Sequence, residues 1–162
     1  MNSFKLTRVD YCNSLLAGLP AHQLDRIQSV LNYAARSVYG LRKYYHVRPL
    51  LRDNLHWLRV PERVKFKCCL LVFKALNGLA PINIADFCIK VPASERRSIL
   101  RSAGTYQYNF VIPRRASKFT ERSFSVSGPA AWNSLSDYIK LSTSVDIFKS
   151  KLKSHLYPVS FP

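Results

Sequence analysis

LLVFKALNGLAP, at Leu70–Pro81, closes the helix on which the predicted fold depends. That helix begins at Pro61, because proline lacks the N–H donor that a first turn leaves unpaired. Apolar residues then recur at helical spacing, and between positions 68 and 76 only Lys74 is charged. A helix that is apolar around most of its circumference is typical of the centre of a core. Gly78 ends it, since glycine takes the left-handed conformation that terminates helices.

Apolar periodicity predicts further helices on both sides of this one. Phe4–Leu16 forms the first, and a second runs from Pro20 to Gly40, with Gln28 on its polar face. Ser144 is a good N-cap for the last helix, and the tail Tyr157–Pro162 is expected to fray. The apolar face predicted for the second helix comprises Leu24, Ile27, Val30, Leu31, Ala34, Ala35 and Val38.

The region after Val91 lacks helical periodicity. Alternation over Tyr106–Ile112 predicts one strand, and alternation of Phe124 and Val126 with serines predicts a second. Gly128–Pro129 then opens a short helix. The predicted fold class is mainly α, a helical domain with a small β-hairpin in the C-terminal half.

The composition indicates a folded protein with an anionic partner. The chain has 162 residues, is 48% hydrophobic, and carries 25 Lys and Arg against 9 Asp and Glu, a net charge of +16. Such an excess of one sign repels itself unless a polyanion is present, which favours nucleic acid over an acidic membrane surface. We expect neither a secretory signal nor a membrane span. We do expect the four cysteines to be reduced and the location to be nuclear or cytoplasmic.

Catalytic or metal-binding constellations are not apparent. A polymerase holds two metal ions with carboxylates, yet no two aspartates are adjacent here, and no phosphate-binding glycine loop occurs. Cys12 has no obvious base beside it and is expected to pack. We therefore expect no catalytic residue, no metal and no cofactor. The four histidines lack cysteines at zinc-finger spacing; they are His22, His46, His56 and His155.

Basic residues interleaved with aromatic ones form the candidate binding site. Arginine and lysine hold phosphates, and exposed aromatic rings stack on unpaired bases. Among the aromatic residues of this region, Phe110 and Phe119 are expected to pack beneath it rather than face water. The predicted nucleic-acid-binding residues are Arg42, Lys43, Arg96, Arg97, Arg101, Arg114, Arg115, Lys118 and Arg122.

Several segments, in this order, resemble one protein family. LLVFKALNGLAP is similar to a segment near the end of the reverse transcriptases encoded by LINE-type retrotransposons (those without long terminal repeats) of the jockey-like and chicken-repeat branches. Each match is short, and the ordered set is specific. The matching segments include DYCNSLLAGLP (Asp10–Pro20), NYAAR (Asn32–Arg36), LHWL (Leu55–Leu58), RSFSVSGPAAWNSL (Arg122–Leu135) and FKSKLKSHL (Phe148–Leu156).

The resemblance implies a C-terminal piece of an RNA-directed DNA polymerase that lacks the catalytic palm. Residues 1–40 then correspond to the end of the thumb, 41–90 to a central helical core, and 91–162 to the basic hairpin and last helices. The chain would be no enzyme on its own and would grip RNA or an RNA–DNA hybrid. Ser136 departs from the family, in which proline commonly follows WNSL. The alternatives are a truncated remnant without a selected function and a domesticated protein–protein interaction module.

Overall fold

The computed structural model of the chain describes residues 7, 9–91, 108–114, 117 and 120–162. This part of the chain is mainly helical, as the sequence predicts. Shorter turns of other kinds occupy Asn13–Leu16, Leu50–Asn54 and Thr120–Arg122. The α-helices are α1 (Ala21–Val38), α2 (Val47–Pro49), α3 (Val60–Leu76), α4 (Ile82–Ala85), α5 (Phe124–Asn133), α6 (Asp137–Lys140) and α7 (Val145–Ser160).

Helix α3 lies at the centre of the molecule, as predicted. It packs against α5, α7, α1 and the Asn13–Leu16 turn. Phe73 stacks on Phe148 of α7 with ring centroids 4.2 Å apart. The helix ends at Asn77, and Gly78 follows with φ +68°, the left-handed conformation expected there. Phe73 is buried in the last turn of the helix, whereas Leu76 at its end is exposed.

The first helix predicted from the sequence is interrupted. Residues 7, 9 and 10 are helical, but Cys12 takes a left-handed backbone conformation with φ 51°. A non-glycine residue in that region ends a helix, so Asn13–Leu16 forms a separate 3-10 turn. Cys12 is also exposed, and the expectation that it packs is wrong.

The predicted β-hairpin does not form in the described residues. The only β pairing among them is an isolated bridge between Lys90 and Phe110. Phe124 and Val126, predicted as a strand, begin helix α5 instead. Gly128 lies inside that helix, where an added Cβ would stand 3.0 Å from the Phe124 ring. The absence of a side chain at Gly128 lets the Phe124 ring approach closely, and Gly128 does not open a helix.

The C-terminal residues do not fray. Ser144 caps α7 by accepting a hydrogen bond from the Ile147 N–H, as predicted, but α7 continues to Ser160. Phe161 is buried against Ala35 and Leu51. The tail thereby joins the end of α7 to α1 and to the turn after α2.

Candidate nucleic-acid interface

Four of the nine predicted binding residues lie in the described part of the chain. Arg42, Lys43 and Arg114 are exposed, and Arg122 is half-buried. The other five lie outside the described residues: Arg96, Arg97, Arg101, Arg115 and Lys118.

Arg42 and Lys43 belong to a short loop between α1 and α2. Gly40, with φ +63°, turns the chain out of α1. Arg36 in the last turn of α1 then donates from Nε to the Tyr45 carbonyl across 2.9 Å, and the Tyr45 N–H donates to the Arg42 carbonyl across 3.1 Å. These bonds hold the loop against α1 by its backbone and leave its side chains in solvent.

The same loop presents exposed aromatic rings beside its cations. Tyr44 is 89% exposed and Tyr45 is 50% exposed. The Lys43 ammonium lies 5.9 Å from the centre of the Tyr44 ring. We call residues 42–45 the basic loop. A solvent-exposed ring flanked by two cations is the arrangement that stacks on an unpaired base and holds its phosphates.

Arg114 and Arg122 differ in how much of the guanidinium group is accessible. Arg114 follows a segment anchored in the core by Phe110, which is buried as predicted. Arg122 ends the short turn before α5, and its Nε is buried without a hydrogen-bond acceptor in the described part of the chain. Arg114 is therefore free to reach a phosphate, whereas part of the Arg122 guanidinium is enclosed.

Two hydrogen bonds join the ordered tail to basic residues near α2. Arg48 donates from Nη2 to the Pro162 carbonyl, and the Tyr157 hydroxyl donates to the Arg52 carbonyl. His56 contacts the same hydroxyl through Nδ1 at 3.2 Å. Because these contacts join positions more than 100 residues apart, no local pattern of the sequence indicates them.

The described residues hold neither a metal site nor an activated thiol. No three His, Cys, Asp or Glu side chains within them are close enough to share a metal ion. Burial raises the pKa of the Cys68 thiol to about 11 and that of Cys69 to about 12, with the neighbouring Cys68 adding to the rise at Cys69. Both thiols are thus protonated at neutral pH and serve as small apolar side chains of the core.

Comparison with known proteins finds no matching family model, no matching curated protein and no matching solved structure. A helix long and apolar enough to cross a membrane is also not found among the described helices.

Proposed function

We propose that this chain binds single-stranded RNA or an RNA–DNA hybrid through phosphate contacts, as the C-terminal part of a LINE-type reverse transcriptase. The observation that carries the proposal is the basic loop, which exposes Arg42, Lys43 and Tyr44 together. The net charge of +16 supplies the attraction that brings a polyanion to that loop. The family is proposed from the ordered sequence resemblance alone.

The basic loop suits a single strand better than a duplex. In a duplex the bases are stacked on one another, and a tyrosine on a short loop has no free base face to cover. In a single strand, base stacking on an aromatic side chain is worth ~1–3 kcal/mol by alanine substitution. Tyr44 therefore contributes to single-strand affinity, and Arg42 and Lys43 contribute to binding of either form.

Fluorescence anisotropy with a labelled single-stranded RNA tests the proposal. We expect the dissociation constant to rise steeply between about 50 and 200 mM salt, because phosphate binding releases condensed counterions. The double variant Arg42→Gln and Lys43→Gln should lower the slope of log affinity against log salt by about 0.7 for each phosphate that the variant no longer neutralises. Arg26→Gln, at an exposed cation elsewhere on α1, is the matched control and should leave the slope nearly unchanged.

Tyr44→Ala separates stacking from charge. It should weaken single-strand binding by ~1–3 kcal/mol while leaving the salt slope unchanged. Tyr11→Ala, at another highly exposed tyrosine, is its control. Absence of binding at low salt by the folded chain would overturn the proposal, and an unchanged slope in the double variant would remove the basic loop from it.

A second candidate function, a protein–protein interaction module, is favoured by one specific observation. Exposed apolar side chains follow one another from the end of α3 through α4, where a partner protein would cover them. Binding through these residues would be insensitive to the charge of Arg42 and Lys43, so the same double variant separates the two functions. The apolar residues are Leu76, Leu79, Ile82, Phe87 and Ile89.

A further inference from the structure

A cleft of about 350 Å³ opens beside Trp57, on the side of α3 that faces the last turns of α7. We call it the Trp57 cleft. Its apolar wall is formed by Trp57, Leu58, Phe66 and Leu70. This volume lies at the lower end of the range of small-molecule sites, ~300–1,000 Å³. The cleft is therefore sized for one small ligand or for a single unit of a longer one.

The other wall of the cleft is cationic. Asp10 is its one acidic residue, and Arg63 already engages it with two bonds, Nε to Oδ1 at 2.9 Å and Nη2 to Oδ2 at 2.5 Å. Lys67 and Lys153 line the same cleft, and neither forms an ion pair with a carboxylate of the described residues. Two positive charges remain without counterions, which favours an anionic group at the opening.

His56 also lines this wall, and its Nδ1 lies 3.2 Å from the Tyr157 hydroxyl. His56 and Lys153 also line a shallower opening over Ser154 and Tyr157, which continues the cleft along α7.

Asn13 leaves an unpaired acceptor in the wall. Its side chain is well buried, since only 4% of the residue is exposed. Its Nδ2 lies 3.5 Å from Asp10 Oδ1, but its Oδ1 has no hydrogen-bond partner in the described part of the chain. This oxygen is enclosed by protein, so a ligand in the cleft does not reach it, and Asn13 only supports the wall beside Asp10.

We propose that the Trp57 cleft binds one nucleotide, with the base against Trp57 and Phe66 and the phosphate at Lys67 and Lys153. A planar base and a phosphate match the apolar wall and the two lysines of the cleft. The nucleotide comes either as one unit of a bound strand, which rests on the proposed function, or as a free mononucleotide.

Quenching of Trp57 fluorescence tests this inference, because a base stacked on the indole quenches it. We expect AMP to quench the emission of the full chain saturably, and ribose 5-phosphate not to quench it. Trp57→Phe should abolish the response, while the buried Trp132 remains as the background emission. Equal effects of AMP and ribose 5-phosphate would reduce the cleft to an anion site and overturn the inference.

Substitutions of the two lysines of the cleft test where the phosphate binds. Lys67→Gln and Lys153→Gln should each weaken AMP binding about fivefold to tenfold, the effect expected when one charge-assisted hydrogen bond is removed. Lys149→Gln, on the same helix α7 but outside the cleft, is the matched control and should have no effect. Stronger binding of dodecyl phosphate than of AMP would identify a lipid-like ligand and contradict the proposal.

The outcome is distinguishable from that of the proposed function. If the chain binds no RNA strand but AMP still quenches the emission of the Arg42→Gln and Lys43→Gln variant, the cleft is a site for a free nucleotide. Strand binding is then overturned. A second outcome overturns the nucleotide cleft and leaves strand binding intact. In it, strand binding is sensitive to salt, no mononucleotide quenches the emission, and neither Lys67→Gln nor Lys153→Gln changes strand affinity. Reduced strand affinity in these two variants assigns the nucleotide to a bound strand.

Discussion

Gln28 shows how one side chain can join two helices. It lies on α1 but is buried, and its Oε1 accepts a hydrogen bond from the Val60 N–H across 2.8 Å. The first N–H groups of a helix have no partner within it, so Gln28 caps α3 from outside. Its Nε2 in turn donates to Asn32 Oδ1, also across 2.8 Å. Helical periodicity predicts Gln28 on the polar face of α1, and that prediction is wrong.

Gln28→Leu tests this capping role. It leaves the Val60 N–H buried without an acceptor, and we expect the free energy of unfolding to fall by ~1–3 kcal/mol. Urea denaturation followed by circular dichroism measures the change. Asn32→Ala removes only the second bond of Gln28 and should cost clearly less. Equal effects in the two variants would mean that the contact with Asn32, and not the cap, is what stabilises the fold.

Trp132 and Asn133 explain physically why the segment RSFSVSGPAAWNSL matters to this fold. Asn133 forms two hydrogen bonds with the backbone of Phe110, one from the Phe110 N–H to Oδ1 and one from Nδ2 to the Phe110 carbonyl, both 2.9 Å long. The Trp132 Nε1–H donates to the Tyr108 carbonyl across 2.8 Å. An amide side chain thus performs the pairing that a neighbouring strand would perform in a hairpin. No local pattern of the sequence indicates this anchoring, since the partners are 23 and 24 residues away.

At the scale of elements, the sequence predicted the helices whose signals are local. Helices α3 and α7 have a proline or a serine at the start and uninterrupted apolar spacing, and both form as expected. The start of helix α5 was predicted as a strand because Phe124 and Val126 alternate with serines. The segment is too short to separate the two-residue period of a strand from the 3.6-residue period of a helix. Pro129, predicted to start a helix, lies within α5.

Of the two candidate sites, only the one formed by a contiguous segment could be predicted from the sequence. The basic loop is contiguous, so its cations could be selected from the sequence. The Trp57 cleft combines residues from the Asn13 turn, the segment before α3, α3 itself and α7, and only folding brings them together. Lys67 and Lys153 each belong to a helix that was predicted correctly, but their proximity depends on how α3 packs on α7.

Phe161 provides the test of the ordered tail at the element scale. Its ring is buried against Ala35 and Leu51 and lies 5.4 Å from the Tyr157 ring, centre to centre. Phe161→Ala should lower the free energy of unfolding by ~3–5 kcal/mol, the usual cost of truncating a buried phenylalanine. Val159→Ala, at an exposed position of the same tail, should change it by less than ~0.5 kcal/mol. Equal and small effects in chemical denaturation would show that the tail frays after all.

At the scale of the whole molecule, α3 joins apolar clusters drawn from all parts of the described chain. Cys69, Val72 and Phe73 belong to the cluster that contains Trp132 and α7. Val64 and Cys68 belong to the cluster that contains Leu31 of α1. The N-terminal half of this helix therefore packs with the first third of the chain, and its C-terminal half packs with the last third. The excess positive charge has no place in these clusters and accumulates at the surface, where acidic partners are few.

This separation of core and charge predicts how stability responds to salt. With a net charge of +16, like charges at the surface repel one another, and the Debye length falls from ~30 Å at 0.01 M to ~10 Å at 0.1 M salt. We expect the urea midpoint to rise as sodium chloride is raised over this range. Repulsion destabilises the folded state, and salt weakens that repulsion by screening it. The double variant Arg26→Gln and Lys90→Gln, at two exposed cations outside both candidate sites, should be more stable than the parent at low salt and gain less from added salt. A midpoint that falls with salt would mean that ion pairs such as Arg63–Asp10 outweigh the repulsion. In that case an anionic partner would not be needed to stabilise the folded chain.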